Sequence, residues 1–518
     1  MITNSKWRSI IEFCPKQLRP IGINEKPNLL YVFPDQWRVM ALSIWQHAVY
    51  RPFCSGEPDP VITPALDNFI QQATFLTHAV SNCPLCSPHR GSLFTGQYPN
   101  KSGVPLNCHS LRPISNLPTD AEYFTDVLSQ AGYHIGYIGK WHLDYPTPNA
   151  PDKPGSYVEE QFPVWDSYTE PERRHRIDYW YGYGTFDEHR NPHYYDTQGQ
   201  RHQPKTWSAE HEADKAIAYL LNQHGERDAQ KPFALFVSMN PPHSPYNSVD
   251  DCRESDLALY QAASNQELLV RQNADASISK ADCARYYFAN ISGVDKEIGR
   301  IFQALEEIGE WDNTVVVFTS DHGETLCSHS LSDAKNVIYD EALRVPFVIK
   351  TGHQQQSTIS QTLLSSPDIM PTILALLGVP VADPLSIDGR DLSCVMTQPL
   401  AHPASPDCAL YLRNQDGEKN ALGEVIAYFP QSRGIRTLRY TLGLEINHQA
   451  ELIATQLFDN QTDPYQLTNL PFEPQDSFVK PLLQLMAEEL HRIQDPWAEQ
   501  GILASLLPYP VQSTKDNS

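Results

Sequence analysis

Three short apolar runs that end abruptly in polar residues constrain the fold of this 518-residue chain most strongly. They cover residues 28–33, 234–239 and 314–319. Apolar runs of this length are typical of parallel strands that are buried on both faces of a sheet. Open α/β sheets place their sites just past the carboxyl ends of such strands. The polar residues that follow the three runs are therefore expected to meet at one edge of a central sheet.

Helical patterns separate the predicted strands. Apolar residues recur at helical spacing over residues 298–308, directly before the third run. Residues 368–378 predict another helix, in which Pro371 fits the first turn and Gly378 follows the end. This alternation of strands and helices favours an α/β main domain.

The composition changes towards the C-terminus, where Pro and Asp become frequent over residues 379–407, and we place the domain boundary there. Beyond that point, residues 434–442 alternate like a strand with one face in water, and residues 477–493 predict a helix. We therefore predict a large α/β sandwich with a mainly parallel central sheet and a smaller C-terminal α+β subdomain with an antiparallel sheet. The predicted boundaries are an N-terminal arm at 1–25, a catalytic domain at 26–400 with an insertion at 144–210, and the subdomain at 401–518.

The formal net charge of −23 argues against nucleic acid or an acidic membrane as the main partner. An anionic substrate would have to be held by local positive charge. The sequence has no run of about 18 apolar residues, so we expect no transmembrane segment. Residues 1–25 lack the apolar core of a secretory signal. The expected location is cytoplasmic as the sequence reads, or periplasmic or secreted if a signal has been removed.

The segment at residues 84–96 contains a Cys two residues before a Pro and four before an Arg: Cys86, Pro88 and Arg90. Ser87 is expected to cap a helix with Pro88 at its first position, which would set residue 86 at the positive end of the helix dipole. Such a position suits an anionic substrate. The alternatives are an ordinary loop-to-helix junction with a buried thiol, or a redox pair with Cys83.

Two polar pairs directly follow predicted strands: Asp35-Gln36 and Asp321-His322. Carboxylate and amide oxygens with one imidazole form a ligand set for a divalent cation. Each Asp could instead be an ordinary turn or capping residue.

Lysine and histidine side chains recur near the same predicted edge. Lys140 and His142 are two residues apart, so in an extended segment they point to the same side. Lysine supplies positive charge, and histidine supplies acid–base chemistry near neutral pH. His243 and Lys335 could repeat this pairing, although any one of these residues could be an ordinary surface residue.

Taken together and in order, these motifs resemble those of type I sulfatases, a family within the alkaline phosphatase superfamily. The resemblance covers most of the chain and implies the alkaline phosphatase-like α/β fold. The matching segments are 26–28, 61–67, 86–96, 139–143, 241–246, 319–324, 344–346 and 459–470.

The resemblance implies that Cys86 is oxidised to formylglycine by a formylglycine-generating enzyme, and that its hydrate is the nucleophile. It also implies a divalent metal that polarises the sulfate. Calcium is usual in the family. The implied metal ligands are Asp35, Gln36, Asp321 and His322.

The resemblance also implies roles for five further residues. Arg90 would stabilise the hydrate. Lys140, His243 and Lys335 would bind the sulfate oxygens, and His243 would protonate the departing sugar oxygen. His142 would take the proton from the second hydroxyl, so that the sulfated intermediate collapses to aldehyde and sulfate.

Two positions depart from the commonest family pattern. Gln36 stands where many sulfatases have Asp, and His322 where many have Asn. Similar pairs occur in phosphonate monoester hydrolases of the same superfamily, so that activity or a phosphodiesterase is the first alternative. The same change makes manganese conceivable in place of calcium. Lys140 and His142 together favour the sulfatase.

The insertion at 144–210 is rich in Arg, His and Tyr, and Arg forks and aromatic faces suit sulfated sugars. It looks similar to insertions in bacterial sulfatases that act on algal galactans. We expect a sulfated polysaccharide or oligosaccharide, such as carrageenan, attacked at a chain end. The alternative is a surface loop packed by its own aromatic residues. The predicted substrate-binding residues are Arg173, Arg174, His175, His189, Arg190, His193 and Tyr194.

A second alternative is a catalytically inactive relative that binds sulfated glycans. The sequence speaks against it, because every catalytic position that the resemblance implies is filled.

Overall fold

The computed structural model describes residues 26–112, 114–146, 164–331, 335–381, 383–384, 386–397, 405–414, 418–419, 425–427 and 430–507. The predicted N-terminal arm, the middle of the predicted insertion and the predicted boundary at residue 400 lie outside the described residues.

The chain alternates strands and helices through its first two thirds and then forms consecutive strands. The strands are β1 (Asn28–Val32), β2 (Thr74–Val80), β3 (His134–Lys140), β4 (Tyr179–Tyr183), β5 (Tyr194–Asp196), β6 (Arg201–His202), β7 (Phe233–Ser238), β8 (Thr314–Thr319), β9 (Arg344–Lys350), β10 (Thr358–Ser365), β11 (Ala409–Arg413), β12 (Glu418–Lys419), β13 (Val425–Ala427), β14 (Gln431–Arg436), β15 (Tyr440–Ile446) and β16 (Leu452–Asp459).

Helices of very different lengths connect these strands. The α-helices are α1 (Pro64–Ile70), α2 (Cys86–Thr95), α3 (Phe124–Gln130), α4 (Ser208–Leu221), α5 (Glu254–Leu257), α6 (Asn265–Leu268), α7 (Ala284–Glu307), α8 (Asp340–Leu343), α9 (Ile369–Leu376), α10 (Ser393–Thr397), α11 (Val479–Arg492) and α12 (Pro496–Glu499). The 3-10 segments are Ser43–Gln46, Arg51–Phe53, Pro171–Arg173, Val249–Asp251, Ser279–Cys283, Trp311–Asn313, Ser366–Asp368 and Ile502–Ser505.

A ten-stranded sheet in the order β10-β2-β9-β8-β1-β7-β3-β4-β5-β6 forms the centre of the molecule. The pairs β10–β2, β8–β1, β1–β7, β7–β3 and β3–β4 are parallel, whereas β9 and β5 run against their neighbours. This arrangement confirms the predicted α/β class with a mainly parallel sheet.

The central sheet is buried on both faces, as the continuous apolar runs predict. In β1, Leu30 and Val32 contribute to the apolar core on one face, and Leu29 and Tyr31 to the core on the other. The first core includes side chains from α1, α4 and α7, and the second includes side chains from α2, α3 and α9. Because both faces are covered, only the edges and strand ends of the sheet are available for a site.

The C-terminal part contains a separate antiparallel sheet in the order β11-β14-β15-β16. Helix α11 packs on it through an apolar core that includes Leu442, Leu457, Leu483 and Met486. A two-stranded sheet joins β12 and β13. The predicted smaller α+β unit with an antiparallel sheet is therefore confirmed.

The prediction of one strand over residues 434–442 is wrong, because the chain turns there. Strands β14 and β15 form a hairpin, closed where the Thr437 amide donates to the Tyr440 carbonyl at 2.8 Å and the Tyr440 amide donates to Thr437 Oγ1 at 2.8 Å. The turn contains neither Gly nor Asn, so the alternating pattern continues through it without a signal.

The described part of the predicted insertion extends the central sheet. Strand β4 pairs in parallel with β3, and β5 and β6 follow as an antiparallel edge. Aromatic residues such as Trp180 and Tyr181 favour strands and bury their rings here. The expectation of a substrate-binding loop is corrected for this part: residues 179–202 are largely scaffold.

A buried ion-pair cluster joins the two sheets. Asp340, in α8, accepts hydrogen bonds from Arg436 of β14 at 2.8 Å and from Arg344 of β9 at 3.0 Å, and all three side chains are 2% exposed or less. Burial opposes ionisation of Asp340, but the two guanidinium groups outweigh it and hold the pKa of this carboxyl well below its usual range. Asp340 therefore links the C-terminal sheet to the central sheet through charge.

Within the described residues, the apolar helices are all too short, and the long helices too polar, to cross a bilayer.

We expect Asp340→Asn to lower the free energy of unfolding by about 3–5 kcal/mol at pH 7, because it leaves two buried guanidinium groups without their carboxylate. A depressed native pKa stabilises the fold above the unfolded pKa of about 4, and this contribution is lost as the pH falls. The difference between wild type and variant should therefore shrink below about pH 4. Urea unfolding at several pH values measures both effects.

Asp214→Asn is the matched control, because Asp214 pairs with Arg300 at 2.6 Å on the surface, with its side chain 48% exposed. This substitution should cost less than about 1 kcal/mol. Equal losses for the two variants would contradict the role assigned to Asp340.

Candidate active site

The polar residues after four neighbouring strands meet at one edge of the central sheet. Asp35 follows β1, Lys140 ends β3, His243 follows β7 and Asp321 follows β8, and these strands lie side by side in the order β8-β1-β7-β3. The carboxyl ends of parallel strands lie at the same edge. The structure therefore brings these residues together as the strand pattern predicts.

A glycine allows the two neighbouring strands β3 and β7 to approach closely at this edge. Gly139 has φ +100°, and a Cβ at this position would collide with the carbonyl oxygen of Ser238. Only glycine adopts this positive φ without strain and, because it has no Cβ, leaves room for the Ser238 carbonyl. The close approach places Lys140 beside the end of β7.

Cys86 lies at the N-terminus of helix α2, 1% exposed, in the centre of this edge. The helix begins at Cys86 itself with Leu85 as the N-cap, so the prediction that Ser87 caps the helix is wrong. Ser87 Oγ instead accepts a hydrogen bond from the Cys108 amide at 3.1 Å. Residue 86 nevertheless stands at the positive end of the helix, as expected.

Positively charged and metal-ligating side chains surround the Cys86 sulfur. Burial favours the neutral thiol, but the surrounding cations outweigh it, and the pKa of Cys86 falls well below its ordinary value. The position therefore favours an anion. The atoms near Sγ are His322 Nε2 at 3.3 Å, Lys335 Nζ at 3.4 Å, Lys140 Nζ at 3.7 Å, Asp35 Oδ1 at 3.7 Å and His243 Nε2 at 3.8 Å.

Arg90 organises the carboxylates beneath Cys86. Its guanidinium donates to Asp321 Oδ2 at 3.1 Å and to Asp35 Oδ2 at 3.2 Å. It also donates to the Lys140 carbonyl and to Ser238 Oγ, both at 2.7 Å. With these partners, Arg90 fixes the acidic residues in position. Its hydrogen bonds within the described residues do not include one to Cys86, and stabilisation of the hydrate by Arg90 stays a prediction.

The predicted metal ligands form a compact cluster. Ligand atoms of Asp35, Cys86, Asp321 and His322 all lie within 4.8 Å of one another. His322 Nδ1 donates to the Gly323 carbonyl at 2.8 Å, so the Nε2 lone pair faces the carboxylates. Burial lowers the pKa of His322, but the carboxylates and Cys86 outweigh it and raise that pKa to about 10. The cluster therefore stabilises a positive charge placed within it. Its oxygen and nitrogen ligand atoms fit a divalent cation.

Gln36 is oriented towards the same cluster by a residue that the sequence analysis missed. The Gln36 side-chain amide donates to Glu324, and Gln36 Oε1 accepts from Lys335 Nζ at 3.3 Å. Glu324 also accepts from the Tyr246 hydroxyl at 2.6 Å. Glu324 lies two residues after His322, and that proximity was the signal available in the sequence.

The hydrogen bonds of His142 determine which of its nitrogens can act as a base. Its Nε2 lies 3.1 Å from the Cys108 carbonyl, which can only accept, so Nε2 carries the proton. Its buried Nδ1 has no hydrogen-bond partner in the described part of the chain. Burial lowers the pKa of His142, while the neighbouring Cys86 opposes that shift. A neutral His142 therefore presents a free lone pair beside residue 86.

His243 differs from His142 in that its surroundings favour the protonated imidazole. Its Nδ1 donates to the Ser244 carbonyl at 2.7 Å, which leaves Nε2 directed at Cys86. Burial and the nearby lysines oppose protonation, but Asp35 and Asp187 outweigh them and raise the pKa of His243. A protonated His243 is thus suited to donate a proton. Asp187, 3.5 Å from His243 Nδ1, was not predicted, and the sequence carries no motif that marks it.

Two of the predicted substrate-binding residues are internal parts of the insertion, and a third, half-buried one is held by an ion pair. Tyr194 is fully buried, and its hydroxyl donates to Glu212 at 3.0 Å. Arg174 is 3% exposed and packs over the Trp180 ring. The Arg173 guanidinium donates to Asp144 at 2.5 Å. These contacts build the fold of the insertion. The prediction that Tyr194 and Arg174 bind substrate is therefore corrected to a supporting role, and substrate binding by Arg173 stays a prediction.

Two further predicted residues are also engaged elsewhere. Arg190 is exposed, but its guanidinium donates twice to the Cys252 carbonyl. His175 is 8% exposed and lies 3.4 Å from Asp126. It lines a cleft of about 420 Å³ whose wall includes Asp120, Glu122 and Glu172. This acidic lining does not suit a sulfated ligand.

The remaining two predicted residues support the site from behind. His189 Nε2 donates to the His243 carbonyl at 2.8 Å, and His189 is 2% exposed. His193 lies 2.8 Å from Asp166 and is 4% exposed. Their contacts position neighbouring residues, and a direct contact with substrate stays a prediction.

Comparisons with known proteins give consistent results. The model of the family described as Sulfatase matches residues 27–379, and that of the N-sulphoglucosamine sulphohydrolase C-terminal region matches 328–495. A protein of Bacteroides thetaiotaomicron named endo-4-O-sulfatase is 50% identical over 496 residues, covering 96% of this chain and 97% of that protein. An ulvan-active sulfatase of Formosa agariphila is 30% identical over 464 residues, covering 87% of this chain and 78% of the relative.

A solved structure, titled for the metabolism of multiple glycosaminoglycans by Bacteroides thetaiotaomicron, superposes with a TM-score of 0.90. It is 50% identical and covers 94% of this chain and 100% of that chain.

We expect the cluster of Asp35, Asp321 and His322 to bind a divalent cation that stabilises the fold. A ligand at a hundred times its dissociation constant adds about 2.7 kcal/mol to the stability of the protein that binds it. Calcium or manganese chloride should therefore raise the melting temperature of metal-stripped protein, and Asp321→Asn should reduce this shift strongly. Thermal unfolding with each metal measures the effect.

Asp214→Asn serves as the control for this experiment as well, because its partner Arg300 lies on the surface. An unchanged metal response in Asp321→Asn would show that the cation binds elsewhere.

Proposed function

Because the chain belongs to the sulfatase family, we propose that it is a sulfatase that removes sulfate from a glycan through residue 86 matured to formylglycine. The family match over 27–379 and the 50% identical sulfatase establish the enzyme class. The observation that carries the catalytic proposal is the surroundings of Cys86: the nitrogen atoms of Lys140, Lys335 and His243 lie within 4 Å of Sγ, as do two of the candidate metal ligands, Asp35 and His322. Maturation requires a formylglycine-generating enzyme, because the chain carries the cysteine and not the aldehyde.

Lys140, Lys335 and His243 form the proposed sulfate-binding group. Their nitrogen atoms lie 3.4–3.8 Å from Sγ, the atom that occupies the position of the formylglycine oxygens. Buried cations are more effective here than at the surface, because little water screens them. This local group compensates for the chain's net charge of −23, which by itself repels a sulfated substrate.

The first step transfers sulfate from the sugar to residue 86. The Asp35 carboxylate, whose Oδ1 lies 3.7 Å from Sγ, takes the proton of one hydroxyl of the hydrated aldehyde. The oxygen of that hydroxyl attacks sulfur, and the bond between sulfur and the sugar oxygen breaks. His243 Nε2 donates its proton to the departing sugar oxygen, for which its raised pKa suits it. The desulfated glycan then leaves with that proton.

The second step releases the sulfate. His142 Nδ1 takes the proton from the second hydroxyl of residue 86, the aldehyde re-forms, and the bond between carbon and the sulfate oxygen breaks. Water then adds to the aldehyde and restores the hydrate. The free lone pair of the neutral imidazole supports this assignment.

Asp35, Gln36, Asp321 and His322 would hold the divalent cation. When bound, such a cation acts as a Lewis acid that polarises the sulfate and favours deprotonation of the attacking hydroxyl. We propose calcium, because three of the four ligands supply oxygen; manganese is the alternative that the imidazole favours.

The proposed substrate is a polysaccharide of the glycosaminoglycan type that carries internal 4-O-sulfate. The name endo-4-O-sulfatase of the relative that is 50% identical over nearly the whole chain supports this choice. The same relative gives no support to attack at a chain end or to carrageenan. An algal polysaccharide remains the second candidate, supported by the ulvan-active relative at 30% identity.

We expect protein coexpressed with a formylglycine-generating enzyme to release sulfate from 4-O-sulfated glycosaminoglycan, as intact polymer and as oligosaccharides at comparable rates. Peptide mass spectrometry should find formylglycine at residue 86. Cys86→Ala should abolish release, because the nucleophile is gone. Cys83→Ala should retain it, since Cys83 is a buried thiol whose pKa burial raises to about 12.

Other outcomes identify the alternatives. Release only from carrageenan or ulvan fragments would select the algal substrate, and release from oligosaccharides alone would select chain-end attack. Turnover of an aryl phosphonate in preference to sulfate esters would select the phosphonate monoester hydrolase. Unmodified Cys86 together with glycan binding and no turnover would select the inactive relative.

We expect His142→Ala to release one equivalent of desulfated glycan per enzyme and then stall, because the second step lacks its base. Steady-state sulfate release should fall by about a hundredfold or more. Rapid-quench analysis of both products measures this. His224→Ala, in an exposed turn, is the control, and an equal loss in both steps would contradict the assignment.

A further inference from the structure

An exposed tryptophan lies directly beside the candidate active site. The Trp165 side chain is 41% exposed, and its ring lies 6.3 Å from the ring of His142 and 4.6 Å from the ring of His109. Most tryptophans of the described chain are buried, so its exposure stands out. The tryptophans that are 1% exposed or less are Trp37, Trp45, Trp141, Trp180 and Trp497.

The residues on both sides of Trp165 are held firmly. Val164 and Ser110 exchange two hydrogen bonds of 2.8 Å, one from the Val164 amide to Ser110 Oγ and one from the Ser110 amide to the Val164 carbonyl. Asp166 accepts from the Thr185 amide at 3.0 Å and lies 2.8 Å from His193. The backbone of this segment is thus fixed on two sides while the indole stays in solvent.

The loop that packs against Trp165 is also bonded to the catalytic residues. The Cys108 carbonyl accepts from His142 Nε2 at 3.1 Å, and the Cys108 amide donates to Ser87 Oγ at 3.1 Å. Asn107 Oδ1 accepts from the Ser87 amide at 2.9 Å. His109, whose pKa burial lowers to about 4, packs against Trp165 as an uncharged ring at an interplanar angle of 55°. Trp165 therefore has a fixed position relative to residue 86.

We propose that Trp165 is a binding platform for a sugar ring of the glycan next to the sulfated sugar. This inference rests on the proposed function. A tryptophan face presents a large, rigid apolar surface, and pyranose rings have an apolar C–H face that packs on it. Sugars in an internal stretch of a glycan extend beyond the sulfate pocket. Trp165 lies next to His142, which lies beside Cys86, and its ring is exposed to solvent.

The sequence motifs do not mark this residue, and none of the seven predicted substrate-binding residues combines exposure with a free aromatic face. Arg190 is exposed but bonded to Cys252, and Tyr194 is fully buried. Trp165 combines exposure, a fixed backbone and contact with a residue beside the nucleophile. Among the described residues of the insertion, it is therefore the one best placed to select a longer substrate.

The test measures kcat and KM for sulfate release from a 4-O-sulfated oligosaccharide, and the inhibition constant of inorganic sulfate. For Trp165→Ala we expect kcat/KM to fall about tenfold, mainly through KM, as expected for loss of a stacking face. The sulfate inhibition constant and the melting temperature should not change. Trp165→Phe should retain an intermediate value, and Ile453→Ala, 49% exposed on β16, is the surface control.

A parallel titration measures oligosaccharide binding to the inactive Cys86→Ala variant with and without Trp165→Ala. Binding that Trp165→Ala leaves unchanged overturns the platform, even if sulfate release is observed. A raised sulfate inhibition constant with a lower melting temperature also overturns it, since Trp165 would then only support His142. Binding that depends on Trp165, without sulfate release by the matured wild type, would instead overturn the proposed reaction and retain the platform.

Discussion

The ion pairs between Arg90 and the two carboxylates of Asp35 and Asp321 are the interaction on which the rest of the site depends. All three side chains are fully buried, so each charge has lost its hydration and must be compensated within the protein. Arg90 meets this need from helix α2, which also carries Cys86 at its first residue. The charge network therefore fixes the positions of both the proposed nucleophile and the candidate metal ligands.

The central sheet makes this network possible. Strands β8, β1, β7 and β3 are parallel neighbours, so the residues after each of them are only one strand spacing apart. Both faces of the sheet are covered by helices, which keeps water away from the charges and strengthens their interactions. The C-terminal sheet is joined to this framework through Asp340 and its two arginines.

Around this centre, the residues proposed to carry out the reaction and those proposed to bind the glycan lie in different parts of the site. The proposed sulfate-binding and metal-ligating residues are buried, with Lys140 and Asp321 fully so, except for Lys335, which is half-buried. The described part of the insertion extends the sheet through β4, β5 and β6. Selection of a glycan is proposed to depend on exposed residues at the rim, such as Trp165 with its exposed aromatic face.

The sequence by itself determined the α/β class, the sheet-edge location of the site and the residues at its centre, because strand patterns and short motifs are local properties of the chain. It could not determine the β14–β15 hairpin, because the turn has no glycine or asparagine to mark it. It also missed Glu324, Asp187 and Trp165 and misassigned Tyr194 and Arg174, because burial and orientation depend on contacts between distant segments. Only the tertiary structure decided which polar residues face residue 86 and which pack inside the insertion.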